Sequence, residues 1–105
     1  MKNKYQNIEF YHPGNFRKIK QLEKLPSAFV NKMERMTKFF PFKTNNYVVN
    51  ELIDWENAID DPMFRLNFPH PDMMPPKHQR QLAGLWKGDP EALKQAIYDI
   101  RMSLN

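Results

Sequence analysis

Cysteine is absent from the 105 residues and glycine occurs only three times. The first absence excludes disulfides, cysteine-ligated zinc, a thiolate nucleophile and a cysteine-held iron–sulfur cluster within this chain. The second disfavours a tight-turned β fold, and no glycine-rich phosphate loop is present. No apolar run approaches the roughly 20 residues that span a bilayer. The opening "MKNKYQNIEF" has basic residues but no apolar core, so it does not read as a signal peptide. Together these features predict a soluble, cytoplasmic chain. Hydrophobic residues make up 41%, enough for one modest core.

Charge and proline are plentiful and unevenly placed. Residues 1–50 hold ten Lys/Arg against three acids, whereas residues 51–105 hold six against nine. A basic half can mark a nucleic-acid surface or an acidic protein partner. More commonly such a half is a solvated face, and that reading is preferred. Six of the nine prolines fall between residues 41 and 76.

Periodicity predicts an all-α, small irregular helical domain of about five or six short helices with a Pro/aromatic-rich extended connector. It divides into a basic helical arm (1–40), the connector (41–76) and a two-helix segment (77–105). "HPG" (His12–Gly14) reads as a turn. Asn15 is expected to cap a helix reaching Leu25, with Phe16, Ile19 and Leu22 inward. Ser27 is expected to cap a second, carrying Phe29, Met33, Met36 and Phe40 and stopped by Pro41. Lys32, Arg35 and Lys38 should face water. Asn45 or Asn46 caps a third segment running to Asp54. Asp61 with Pro62 starts a fourth, the proline standing at N1 where its missing N–H costs nothing. "FPHPDMMPP" should be extended. A fifth helix is expected from Pro76 to Gly88 with Leu82, Leu85 and Trp86 inward. Asp89-Pro90-Glu91 opens a sixth with Leu93, Ala96, Ile97, Ile100 and Leu104 on one face. Its run to Asn105 without a cap suggests a cut chain.

Three groups of residues carry side chains capable of chemistry, and each also has a plainer role. His70 and His78 flank Asp72 but lack the i, i+4 geometry of a zinc helix, so they read as surface histidines. Asp54, Glu56, Asp60 and Asp61 resemble a carboxylate cluster for acid/base work or cation binding. Asp61 already has a capping role, and no glycine provides the turn of a calcium loop. Aromatics near lysines could stack bases, yet their helical spacing favours a core. Patterning alone therefore predicts no catalytic, cofactor-binding or metal residue.

Several rare-residue clusters recur in order: "PF" (Pro41-Phe42), "NNY" (Asn45–Tyr47), "ELIDW" (Glu51–Trp55), "DDPMF" (Asp60–Phe64), "FP" (Phe68-Pro69) and "IRMSLN" (Ile100–Asn105). Over about residues 35 to 105 the chain resembles the N-terminal region of the lysine 2,3-aminomutase family of radical S-adenosylmethionine enzymes. The "LIDW…DDP…F…FP" form is similar to the glutamate 2,3-aminomutase-like branch. Such a resemblance implies an isomerase family that uses a [4Fe–4S] cluster on a CxxxCxxC motif, S-adenosylmethionine and pyridoxal phosphate on a lysine. None of those ligands is carried onto this chain, including onto Lys43 or Arg65. The implied partners are the remainder of the catalytic barrel or another subunit, with homo-oligomers possible in principle and no membrane. On this reading the connector's aromatics and prolines form a belt laid against a surface the chain itself lacks. A standalone basic module binding nucleic acid or an acidic partner is the alternative. A small enzyme using the acidic cluster is a third.

Overall fold

The computed structural model describes residues 7–104, and the expectations for residues 1–6 and Asn105 lie outside them. The chain is mostly helical, with one two-stranded bridge, and folds as two units, Met1–Pro71 and Asp72–Asn105. The small, irregular helical architecture is the one the periodicity predicts.

In the first unit, β1 (Phe10–Tyr11) pairs antiparallel with β2 (Thr44–Asn45), Phe10 opposite Asn45 and Tyr11 opposite Thr44. Asn46 extends this short ladder: its Oδ1 accepts from Glu9 N at 3.1 Å, and its backbone N–H donates to Glu9 O at 3.0 Å. The predicted turn at His12–Gly14 forms, with Phe16 N donating to His12 O at 2.9 Å.

The helix expected from Asn15 to Leu25 is instead two 3₁₀ turns, Phe16–Lys18 and Lys20–Lys24, broken at Ile19 by an extended ψ of 111°. The spacing explains the outcome. Phe16, Ile19, Leu22 and Leu25 recur every third residue, the period of a 3₁₀ helix, and all four are buried. Asn15 is not a side-chain cap. Its Oδ1 accepts from His12 N at 2.8 Å and its amide donates back to Phe10 O.

Helix α1 (Ser27–Met36) follows, with Val30, Met33 and Met36 inward. Ser27 is its first helical residue rather than its cap. The extended Pro26 precedes it, and Pro26 O accepts from Phe29 and Val30. The helix ends at Met36 and a further turn, closed by Phe40 N to Met36 O, carries the chain to Pro41. Lys32 and Lys38 are exposed as expected, and Arg35 is half-buried.

Beyond β2 the connector behaves as its punctuation predicts. Asn45 Oδ1 accepts from Val48 N at 2.9 Å, which is a helix-start capping bond. The segment then widens into a π turn over Val48–Leu52, with Ile53 N reaching Val48 O. A tight 3₁₀ stretch (Trp55–Asp60) follows, kinked at Asn57. Helix α2 (Pro62–Asn67) starts where the sequence places it, Asp61 accepting from Phe64 N with Pro62 in the first turn. The "FPHPDMMPP" stretch is extended only in part, because Pro71–Met73 closes a 3₁₀ turn.

The rings of the connector turn inward. Phe64 stacks on Phe68 at 4.9 Å, Trp55 meets Phe64 edge-on at 5.7 Å, and Phe42 joins Phe68 to Phe16. Ring pairs of this kind add about 0.5–1.5 kcal/mol each beyond the area they bury. This corrects the expectation of a belt facing an absent surface. Phe64 and Phe68 are buried with Phe16, Met33 and Val49 in the first unit's own core, and only Tyr47 of the connector's rings is exposed. The reason is compositional: the basic arm contributes an apolar residue every third or fourth position, and these fill the space between the rings.

The second unit is simpler. Helix α3 (Pro76–Leu82) stops short of the expected Gly88, and the chain continues in turns closed by Leu85 N to Leu82 O and Gly88 N to Leu85 O. At Gly88 a Cβ would stand 3.3 Å from the Gly84 carbonyl oxygen, a tight contact that a shift of a few tenths of an ångström would have to relieve. Leu82 is buried, while Leu85 and Trp86 are half-buried. Helix α4 (Pro90–Leu104) begins as predicted, Asp89 Oδ1 accepting from Glu91 N at 3.0 Å. It packs on α3, and Ala96 and Ile100 are its buried residues.

Candidate interaction surfaces

The acidic cluster does not converge. Asp54 Oδ1 accepts from Glu56 N at 3.1 Å, Asp61 caps α2, and Glu56 reaches across to Lys24 Nζ at 2.5 Å. The hydrogen bond from Lys24, then its positive charge, hold the Glu56 carboxyl below its usual range. Each carboxylate thus has a local structural partner or faces solvent. Among the described residues no group of three or more His, Asp or Glu side chains could hold a metal ion.

The histidines correct the sequence reading. His70 and His78 are both buried rather than on the surface. His70 lies edge-on to Phe29 at 5.3 Å, so the imidazole completes the aromatic cluster. His78 sits on α3, its Nε2 3.4 Å from Ser103 Oγ on α4, and its buried Nδ1 has no hydrogen-bond partner among the described residues. Because the Ser103 hydroxyl donates to Ile100 O at 2.8 Å, its oxygen is left to accept from His78 Nε2–H, the reverse of the direction in which a histidine activates a serine nucleophile. Thr44 is a second missed feature: it is buried on β2, and its hydroxyl lacks a partner among the described residues. Polar residues at apolar positions leave no mark in a local pattern, so neither was legible.

Lys43 and Arg65 hold no ligand-like arrangement. The Lys43 ammonium lies 4.3 Å from the centre of the Phe10 ring, a cation–π contact, and Arg65 Nη1 donates to Ile59 O. Burial first, then the neighbouring Glu9 carboxylate and its hydrogen bond, raise the Tyr11 phenol above its ordinary value.

The described residues also form open clefts, two of which bear on binding. One, of about 370 Å³, lies in the basic arm over Ile19, Leu22, Leu25 and Val30. Lys18, Lys20 and Glu23 edge it. Arg17 also borders it but is committed elsewhere, its Nε donating to Glu34 at 2.6 Å and its Nη2 to Asn31. The other, of about 410 Å³, is carried entirely on α4 and lined by Lys94, Ile97, Tyr98, Arg101 and Met102. Its signal was present in the sequence. Tyr98 and Met102, four apart, form a second apolar stripe beside the one that packs inward. No helix among the described residues is long and apolar enough to cross a membrane. No protein-family model, no curated protein and no solved structure matches the chain.

Proposed function

We propose that this chain is the helical N-terminal portion of a radical S-adenosylmethionine, pyridoxal phosphate-dependent 2,3-aminomutase-like protein. Its role there is structural, in packing against a catalytic barrel or another subunit, without turnover of its own. One observation carries the reading. Several residues that make the resemblance have structural roles in the first unit: Phe42, Phe64 and Phe68 in the ring cluster, Asn45 and Asp61 at helix starts, and Trp55, whose indole donates to Val49 O at 2.7 Å. A shared scaffold would keep just these positions.

The chain's own residues do not fit the family's cofactors. With no cysteine in the sequence and no three-ligand group among the described residues, a [4Fe–4S] cluster has no donor set here. No lysine is assigned to pyridoxal phosphate. The chemistry of amino-group migration would belong to the remainder of the assembly, with this portion supplying shape.

The test is genetic and then biochemical. Transcript sequence downstream of codon 105 is expected to encode CxxxCxxC, in frame or just out of it, and its product should co-purify with this chain. Absence of such codons in the native transcript would overturn the reading. The basic cleft favours a second reading, a module that takes an acidic partner or nucleic acid on Lys18 and Lys20. It requires binding at low salt that weakens steeply as salt rises.

A further inference from the structure

Helix α4 has two faces of different character. At about 100° per residue, Ala96 and Ile100 fall together and are buried, Lys94, Tyr98, Arg101 and Met102 fall on the opposite side, and the half-buried Ile97 stands at the border between the two faces. Tyr98 is 60% exposed and Met102 56%, and the groove between these five residues holds about 410 Å³. Exposed singly, such side chains need no explanation; grouped in a groove they do.

The charges on that groove identify its occupant. Lys94 and Arg101 stand seven residues apart, close to two helical turns or about 10 Å. Neither has an ion pair among the described residues, and no carboxylate lines the groove. Asp99 is on the flank, held by Gln95 Nε2 at 2.9 Å. Glu91 lies in the first turn, outside the groove. An antiparallel second copy centred on the groove would set Lys94 against Arg101, like charge on like, which costs association energy. A membrane-lying helix carries Trp, Phe or Leu on its apolar face, and this groove has one tyrosine, one methionine and one isoleucine.

We propose that the outward face of α4 is a docking site for an acidic amphipathic helix of a partner protein. The partner's apolar residues, at i, i+3 or i+4, and i+7, cover Ile97, Tyr98 and Met102. Its carboxylates, about two turns apart, meet Lys94 and Arg101. The mode is helix-in-groove recognition, in which apolar anchors supply affinity and flanking charges fix register. The surface stands whether or not the aminomutase-like assignment holds.

The experiment uses the full chain and two fluorescent helical peptides about as long as α4, identical in apolar pattern, one flanked by glutamates and one by lysines. Anisotropy is expected to show binding of the glutamate peptide alone. Lys94→Glu with Arg101→Glu should weaken that binding by at least about tenfold and transfer preference to the lysine peptide. Tyr98→Ala with Met102→Ala should abolish binding of the glutamate peptide while circular dichroism stays unchanged. Equal binding of the two peptides, or none, overturns the proposal. So does a concentration-dependent dimer in sedimentation that Tyr98→Ala removes, or uptake by anionic vesicles that displaces the glutamate peptide.

Discussion

The two units reach burial by opposite routes. The first spends most of its length in 3₁₀, π and single-turn segments, yet it closes a core of rings and aliphatics running from Phe16 to Phe68. The second contains the longest and most regular helix, yet among its described residues only Met74, Leu82, Ala96 and Ile100 are buried apolar side chains. Regular secondary structure and a filled core are therefore separate properties. A ring cluster can close around irregular backbone because each ring fills its space from a single attachment point. An amphipathic helix buries one face and leaves the other to solvent.

The largest test of that contrast is Phe64→Ala, which opens a cavity at the centre of the ring cluster. It should cost about 3–5 kcal/mol. In a Trp86→Phe background, Trp55 reports on the first unit alone, and its urea transition should move far down or vanish. If Trp55 fluorescence unfolds at an unchanged midpoint, the ring cluster is not what holds this unit. Ile100→Ala probes the second unit with a smaller side chain. It should cost about 2–5 kcal/mol locally, read as faster amide exchange over α3 and α4.

Asp61→Ala removes the side-chain acceptor for Phe64 N and should cost about 1 kcal/mol, with Asp61→Asn recovering most of it. The Thr44 hydroxyl and His78 Nδ1, buried and without a hydrogen-bond partner among the described residues, predict the reverse sign. Thr44→Val and His78→Leu should each raise stability by about 1 kcal/mol in denaturant titration. A clear loss in either variant would mean that the group has a partner after all.

The smallest effect concerns Glu56. Its folded pKa is depressed by Lys24, so any stabilisation from this pair is present above the unfolded pKa and fades as pH falls through the folded one. Both side chains are solvent-exposed, so the stability change should be negligible. Carbon-detected titration should still place Glu56 below an ordinary glutamate, and Lys24→Met should return it upward.

Local chemistry made much of this legible. Asn45, Asp61 with Pro62, and Asp89 with Pro90 mark helix starts because a side-chain acceptor and a missing N–H act within three residues of where they stand. Asn15 and Ser27 carry the same signal and fail. Asn15 is drawn back to His12 and Phe10 across the turn, and Pro26 already fixes the entry to α1. The three-residue repeat from Phe16 to Leu25 was plain in the sequence, but only its 3₁₀ period makes all four side chains fall inward. The groove on α4 was half legible: its apolar stripe could be read, its lack of cover could not.

The sequence by itself determined that the protein is helical, where its best helices begin, and that no cysteine-dependent chemistry resides in it. Those follow from residue type and short-range geometry. Tertiary structure alone decided that the connector's rings face inward, that His70 and His78 are buried, and that α4 keeps an outer face open. Each of these depends on residues far apart in the chain meeting, as Phe16 does Phe42 and Lys24 does Glu56. No local pattern encodes which distant side chain fills a given space.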